Sequence, residues 1–188
     1  MPQVIKHPRR VITLAIASAI LSYGLVWFAG SAEPPALAAL MRYSPGVVYS
    51  LLVLIPMLNG ASSHLVRALL TIAASGAIYF VAVNVADQFV SGWDKSELGG
   101  CGIAGGMAAV LMAAVARTVL DREISLLATL IAFCTGSLGG ALIGQALLTP
   151  DSPAVQGFMV SGYLVWQVGV SFALLLIDPL GFAEPDRN

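Results

Sequence analysis

The fold is decided by two apolar runs joined by a short charged turn, LGGCGIAGGMAAVLMAAVA at residues 98–116 and ISLLATLIAFCTGSLGGALIGQALL at residues 124–148. The second run carries Gly136, Gly140 and Gly144 at four-residue spacing, which places all three on one face of a helix. In lipid, helices gain no hydrophobic free energy by touching, so close van der Waals contact must hold them together. The hairpin is therefore predicted to be the packing centre of a small helical membrane protein.

The glycines of the first run allow two interpretations. In the first, Gly102 and Gly106 pack closely against the glycine face of the second run. In the second, the segment 99–106 bends or unwinds and offers backbone carbonyls to a ligand, as broken helices do in transporters. Each glycine lowers helix propensity by about 1 kcal/mol, which permits such a break without requiring it.

The composition excludes a water-soluble globular domain. Of the 188 residues, 58% are hydrophobic and 10% are charged, and the mean hydropathy is +0.88. A soluble domain has about 25% charged residues, so this chain has too few to cover a water-facing surface. We therefore predict an all-α integral membrane protein that forms one helical bundle over residues 1–188. The net charge of −1 gives no reason to expect nucleic acid as a partner.

Six transmembrane helices are predicted along the chain. They cover residues 11–28, 45–58, 68–90, 98–116, 124–148 and 157–177. The first follows basic residues, and small residues follow it, so that residues 1–32 resemble a cleavable signal peptide. However, its 18 apolar residues exceed the usual 7–15 of a signal core, which favours a retained helix.

The second predicted span, residues 45–58, is about 21 Å long, too short for an ordinary crossing. It requires a thinned bilayer, a re-entrant geometry or extension back through Ala36. The preceding residues 36–43 are predicted to form a short helix in the membrane interface, where Arg42 and Tyr43 suit the headgroup level.

Capping patterns mark the beginnings of four of these helices. They are Ser44 before Pro45, Asp94 with Glu97, Asp121 with Glu123, and Ser152 before Pro153.

The basic residues predict the orientation in the membrane. If the N-terminus is inside, seven of the nine lysines and arginines lie on the inner side, and Arg42 and Lys95 lie on the outer side. Six spans then place both termini inside. The same bias favours a bacterial inner membrane.

Polar residues in three spans suggest a shared site. Asn84 and Asp87 lie on one face of the third span, and an intramembrane carboxylate is a functional-site hypothesis by default. Gln145 lies in the fifth span, and Tyr163 and Gln167 lie four residues apart in the sixth. We expect these five side chains to form a ligand-binding pocket open to the outside. The alternative is that they only bond to each other, with Asp87 among the lipid headgroups.

Chemistry beyond binding has little support. Histidine, cysteine and acidic residues show no metal-ligand spacing, and we predict neither a cofactor nor catalytic residues. Cys101 and Cys134 are expected at different depths, roughly 10 Å apart, beyond the reach of a disulfide.

Three functions remain to be weighed. The first is a transport protein or a membrane-embedded solute-binding subunit of a transporter. The second is a structural or assembly subunit that packs through its glycine face onto other membrane subunits or a second copy of itself. An intramembrane enzyme is disfavoured, because a nucleophile, a base and metal ligands are all lacking. The expected partners are thus the lipid bilayer, a small solute, and other membrane subunits or a homo-oligomer.

Overall fold

The computed structural model describes residues 8–58, 64–91, 97–120 and 124–176. Helices account for nearly all of this part of the chain. In order, they are α1 Pro8–Ala29, α2 Pro35–Tyr43, α3 Pro45–Met57, α4 His64–Ser91, α5 Glu97–Leu120, α6 Leu126–Leu148 and α7 Val155–Leu175.

Five of these helices, α1, α4, α5, α6 and α7, are long and apolar enough to cross a membrane. The helices α2 and α3 together make a sixth candidate span that is bent by 45° between them. The protein is therefore a helical membrane protein, and the predicted all-α class is confirmed. The short helix predicted at residues 36–43 is present as α2, and the helix predicted at residues 45–58 is present as α3.

Two of the predicted helix starts are wrong in detail. Pro45 is the first residue of α3 as predicted, but the Ser44 hydroxyl donates to the Met41 carbonyl at 2.8 Å and makes no cap. Ser44 follows α2 directly and has helical backbone angles, so the last turn of α2 supplies the nearest acceptor. Ser152 does not cap α7, because its hydroxyl accepts the Ala154 N–H within a preceding turn and α7 begins at Val155.

The remaining predicted caps, Asp94 and Asp121, lie outside the described residues. The helix α6 begins at Leu126, after a serine cap that the sequence analysis missed. The Ser125 hydroxyl accepts the Ala128 N–H at 3.1 Å. The helix α4 begins at His64 and α5 extends to Leu120, so both are longer than predicted.

The glycines of α5 and α6 lie where the two helices touch. A methyl group added at Gly140 would lie 3.0 Å from the Gly105 Cα and nearer still to the Cys101 carbonyl, and one at Gly144 would lie 2.7 Å from the Cys101 Cβ. Contacts of the same kind surround Gly136, which meets Ala109. The backbones are therefore in direct contact along this face.

The remaining two glycines assigned to packing also face α6. An added methyl group at Gly102 would lie 3.2 Å from the Ser137 carbonyl, and one at Gly106 would overlap the Phe133 ring. The helix α5 is continuous through residues 99–106. The alternative prediction of a break there is wrong, and Gly102, Gly105 and Gly106 of this regular helix pack against α6.

The third helix of this packed unit is α7. A methyl group added at Gly139 would lie 2.8 Å from the Gly162 carbonyl, so α6 and α7 are also in backbone contact. The Trp166 indole of α7 then donates to the Gly105 carbonyl of α5 at 3.2 Å. These contacts join α5, α6 and α7 into one closely packed three-helix unit.

The helix α3 is shorter than a full span. It begins beside Ser75 and Tyr79 of α4, deeper in the bundle than Asp87, which lies near the end of α4. Gly46 packs on the Ser75 carbonyl and on the Tyr79 Cβ, where an added methyl would lie 2.7 Å away. The Ser50 hydroxyl reaches the Thr71 carbonyl at 3.4 Å, so α3 runs antiparallel to α4. Tyr79 precedes Asp87 by about 12 Å of helical rise. The outer part of this span is thus replaced by the bend and by α2.

A π-helical segment, Ser50–Leu54, interrupts α3. Pro56 follows it closely, lacks a backbone N–H, and would clash with a carbonyl of the preceding turn in a regular α-helix. The wider π-helical turn accommodates this ring, as is typical of helix distortions near proline.

Candidate functional site: a cleft above the bent span

An open cleft of about 560 Å³ lies between α1, α2, α4, α6 and α7. It is at the end of the bundle where α1 and α4 end and α7 begins, which the count of basic residues predicts to be the outer side. Each of the five helices contributes residues to its walls, among them Val26, Ala39, Val83, Ile143 and Met159. The cleft occupies the region above the start of α3, where a full-length second span would otherwise lie.

The charged part of the wall is an ion pair between Arg42 of α2 and Asp87 of α4. The two side chains are 46% and 38% exposed, so both are accessible from the cleft. The Arg42 guanidinium also lies 5.9 Å from the centre of the Tyr43 ring. Tyr43 in turn packs on Phe80 with ring centres 4.8 Å apart. These contacts hold α2 against α4.

The deepest polar groups in the cleft are two tyrosine hydroxyls. Tyr79 of α4 and Tyr163 of α7 share a hydrogen bond of 2.6 Å, and their side chains are 8% and 2% exposed. The Tyr79 ring also meets Trp166 edge-on, with centres 6.2 Å apart. Because both hydroxyls are already paired, this floor is held rigidly.

A smaller apolar pocket of about 70 Å³ adjoins the cleft. Its far wall consists of small residues of α5 and α6, among them Cys101, Ala104 and Gly140. It shares six lining residues with the cleft. They are Tyr79, Val83, Ala86, Ile143, Leu147 and Tyr163. The close packing of α5 on α6 therefore forms the back of the site.

A second polar layer lies deeper along α7. Gln167 is fully buried and donates through Nε2 to the Ser22 hydroxyl of α1 at 2.9 Å. One turn further, Ser171 and Tyr49 of α3 share a hydrogen bond of 2.9 Å. This layer binds α1 and α3 to α7 and closes the bundle beneath the cleft.

The structure brings together two of the five residues that the sequence analysis assigned to a pocket. Asp87 and Tyr163 line the cleft, whereas Gln167 lies in the deeper layer. The Asn84 amide donates to the Phe80 carbonyl of its own helix at 2.7 Å. Gln145, in the last turn of α6, is not among the residues that line either the cleft or the apolar pocket.

Sequence reasoning missed Arg42 and Tyr79 as members of the site. Arg42 was interpreted only as an interfacial anchor, although it is one of the two basic residues predicted on the outer side, where Asp87 is the carboxylate of α4. Tyr79 lies two helical turns before Asp87 on the same face of α4, so the polar face could have been extended inward to include it. Both signals were present in the residue pattern.

Two further observations limit the chemistry of this region. Among the described residues, no three histidine, cysteine or acidic side chains come close enough to hold a metal ion. Cys101 and Cys134 are not joined in a disulfide, and Cys101 is buried whereas Cys134 is exposed on the surface of α6. Comparison of the chain with models of protein families, with curated proteins and with solved structures found no match.

Proposed function

We propose that this chain is a membrane-embedded solute-binding protein that serves transport, either as the transporter or as its binding subunit, and that the solute occupies the cleft. The observation that carries the proposal is the cleft itself. Its volume of about 560 Å³ falls within the roughly 300–1,000 Å³ of small-molecule sites. Its walls are mainly apolar and carry a few polar groups, which is the usual composition of such sites.

The placement of the polar groups supports binding from the outer side. Charged side chains within membrane-spanning helices are costly, and by default each is a functional-site hypothesis. Here Arg42 and Asp87 line the open part of the cleft, and the tyrosine pair lies deeper. A solute would meet the charges first and the hydroxyls next, while its apolar part lies against the surrounding walls.

The alternative of an assembly subunit has less support. The glycine face of α6, through which such a subunit was expected to pack, contacts α5 and α7 of the same chain. For location we propose a bacterial inner membrane, which the excess of basic residues on the predicted inner side supports.

A pair of matched substitutions on α4 tests the proposal. Ala86 lines both the cleft and the apolar pocket, and Ala86→Phe would fill the space between them. Ala73 lies exposed on the outer surface of the same helix, so that Ala73→Phe adds the same group toward lipid. Solutes are screened by thermal stabilisation of the purified protein in nanodiscs and by uptake into cells that overproduce it.

We expect Ala86→Phe to weaken binding and uptake of a solute found in this screen at least tenfold, and Ala73→Phe to leave both unchanged. The physical reason is that the phenyl ring takes the volume the solute needs. Equal binding by the two variants would show that the solute lies elsewhere. A screen in which no solute stabilises the wild-type protein would count against the proposal as a whole.

A further inference from the structure

We infer that the solute carries an uncharged hydrogen-bond acceptor, such as a carbonyl or ether oxygen, that bonds the hydroxyl pair of Tyr79 and Tyr163. Next to this acceptor it carries a small hydrocarbon group that enters the apolar pocket beyond the pair. This inference rests on the proposed function, since it names the chemistry of the molecule that the same cleft binds. The juxtaposition that carries it is a hydroxyl pair with one O–H group to spare at the entrance of an apolar pocket.

The two tyrosine hydroxyls have more hydrogen-bonding capacity than their mutual bond uses. Each hydroxyl has one O–H donor, and the bond of 2.6 Å between the Tyr79 and Tyr163 oxygens uses only one of the two donors. Among the described residues, neither hydroxyl has a further hydrogen-bond partner. Both side chains are buried, and buried tyrosine hydroxyls usually have a partner. One O–H donor of the pair is therefore left for a group that the cleft admits.

The tyrosine pair lies where the cleft meets the apolar pocket. Both tyrosines line both cavities, whereas Arg42 lines the cleft alone and Trp166 lines the pocket alone. A solute that reaches the hydroxyls from the cleft therefore has the mouth of the pocket beside its acceptor. A group bonded to the same carbon as that acceptor can enter the pocket while the hydrogen bond is made.

The lining of the pocket excludes a charged group. Among the residues that the structure describes, no acidic or basic side chain lines it, and burying an unpaired charge there would be costly. The Trp166 indole N–H is already bonded to the Gly105 carbonyl. The Cys101 thiol is a weak donor, and its sulfur lies 4.0 Å from the Ala86 carbonyl oxygen. The pocket thus suits a hydrocarbon group, and the tyrosine pair suits the acceptor beside it.

The volume of the pocket limits the size of the hydrocarbon group. A cavity of about 10–15 Å³ holds one water molecule, so about 70 Å³ holds roughly five to seven non-hydrogen atoms. A phenyl ring or a branched aliphatic chain has this size. The Tyr79 and Trp166 rings, which meet edge-on with centres 6.2 Å apart, give the pocket aromatic walls, and aromatic rings pack well against one another. A phenyl ketone is therefore a simple molecule with the required chemistry.

The test uses acetophenone and α-methylstyrene as matched probes. They have nearly the same shape, because a methylene group in the second replaces the carbonyl oxygen of the first. Binding to wild-type protein in nanodiscs is measured by equilibrium dialysis. Affinity is expressed relative to the probe dissolved in empty nanodiscs, which removes the difference in hydrophobicity between the probes. We expect acetophenone to bind at least about threefold more tightly, as one net hydrogen bond would give.

The double variant Tyr79→Phe with Tyr163→Phe removes both hydroxyls and keeps both rings. In this variant the preference for acetophenone should disappear, whereas α-methylstyrene should bind as it does to the wild type. The hydrocarbon probe thus reports whether the pocket of the variant is intact. The matched control is Tyr23→Phe, which removes a hydroxyl from a tyrosine of α1 that is not among the lining residues of either cavity. This control should keep the preference for acetophenone.

A second pair of variants locates the probes. Ala86→Phe should weaken the binding of both probes, because Ala86 lines the cleft and the pocket, and Ala73→Phe should change neither. The comparison of the two probes on wild-type protein needs no substitution, so it decides the inference even when the double tyrosine variant fails to fold.

Equal affinity of the wild type for the two probes overturns the inference, and so does a preference for acetophenone that survives the loss of both hydroxyls. When a solute from the screen is displaced by Ala86→Phe but binds the double tyrosine variant as tightly as the wild type, the proposed function stands and this inference fails. When neither probe binds the wild type and the screen yields no solute, both fail.

Discussion

The two sides of this bundle differ in how closely their apolar helices pack. In the unit of α5, α6 and α7, glycines let the backbones touch, and the space between the helices is filled. Among α1 to α4, the bent pair α2 and α3 leaves the outer part of one span empty, and the cleft occupies it. The comparison teaches that close packing and an open site need not compete, because the packed unit forms the rigid back of the cleft.

Polar groups follow the same division. On the packed side, the Trp166 indole bonds a backbone carbonyl that the close approach of the helices brings within reach. In the cleft, two polar contacts join side chains of different helices, Arg42 with Asp87 and Tyr79 with Tyr163.

The largest expected effect is at Gly140. Gly140→Ala adds a methyl group against the backbone of α5, which cannot rotate away, and overpacking of this kind costs about 1–3 kcal/mol. Reversible unfolding in mixed detergent micelles measures the change. The matched control is Gly24→Ala on α1, where an added methyl meets no atom within 4 Å. Restricting the unfolded chain should then stabilise the protein by about 0.4–1 kcal/mol. Loss of stability in both variants alike would remove the contrast between the two sides.

A smaller effect is expected for the tyrosine pair at the floor of the cleft. A double-mutant cycle with Tyr79→Phe and Tyr163→Phe should give a coupling of about 0.6 kcal/mol, the mean for side-chain hydrogen bonds between membrane helices. The same unfolding assay measures it. A coupling near zero would mean that the hydroxyls find other partners when separated, and that the floor is less rigid than the bond implies.

The smallest effect on stability is expected for the ion pair. A cycle with Arg42→Gln and Asp87→Asn should give about 0–1 kcal/mol, because both side chains are substantially exposed and solvent screens their attraction. Measured in the same assay, this value sharpens the comparison, since it gives the contribution of an exposed contact in the cleft beside that of the packed contacts of α5, α6 and α7. A coupling above about 2 kcal/mol would instead identify the pair as a structural link that fastens α2 to α4.

Much of the architecture could be predicted from residue patterns. The apolar lengths predict the membrane helices, and the four-residue spacing of Gly136, Gly140 and Gly144 points to the face that meets α5, because helical periodicity is a local property. Whether the glycines at residues 99–106 would break α5 could not be predicted in the same way. The glycines permitted a break as well as close packing, and α5 is a regular helix packed on α6.

The candidate site was only partly foreseen. Asp87 and Tyr163 were assigned from their polarity within apolar helices, and both line the cleft. Asn84 and Gln145 have the same polarity, but a residue pattern does not reveal which way two neighbouring helices turn toward each other. Asn84 bonds its own helix, which satisfies its amide without any neighbour. Gln167 was placed correctly in the membrane but belongs to the layer that binds α1 to α7.

Local chemistry along the chain accounts for the membrane environment, the number of long helices, the bend before Pro45 and the glycine-rich face, because each depends on hydropathy or on residues within a few turns. The depth at which α3 begins, and therefore the cleft, depends on Gly46 meeting Ser75 and Tyr79 on another helix. The pairing of Arg42 with Asp87 likewise joins residues far apart in the chain. Such contacts come from how whole helices pack, and no local pattern encodes them.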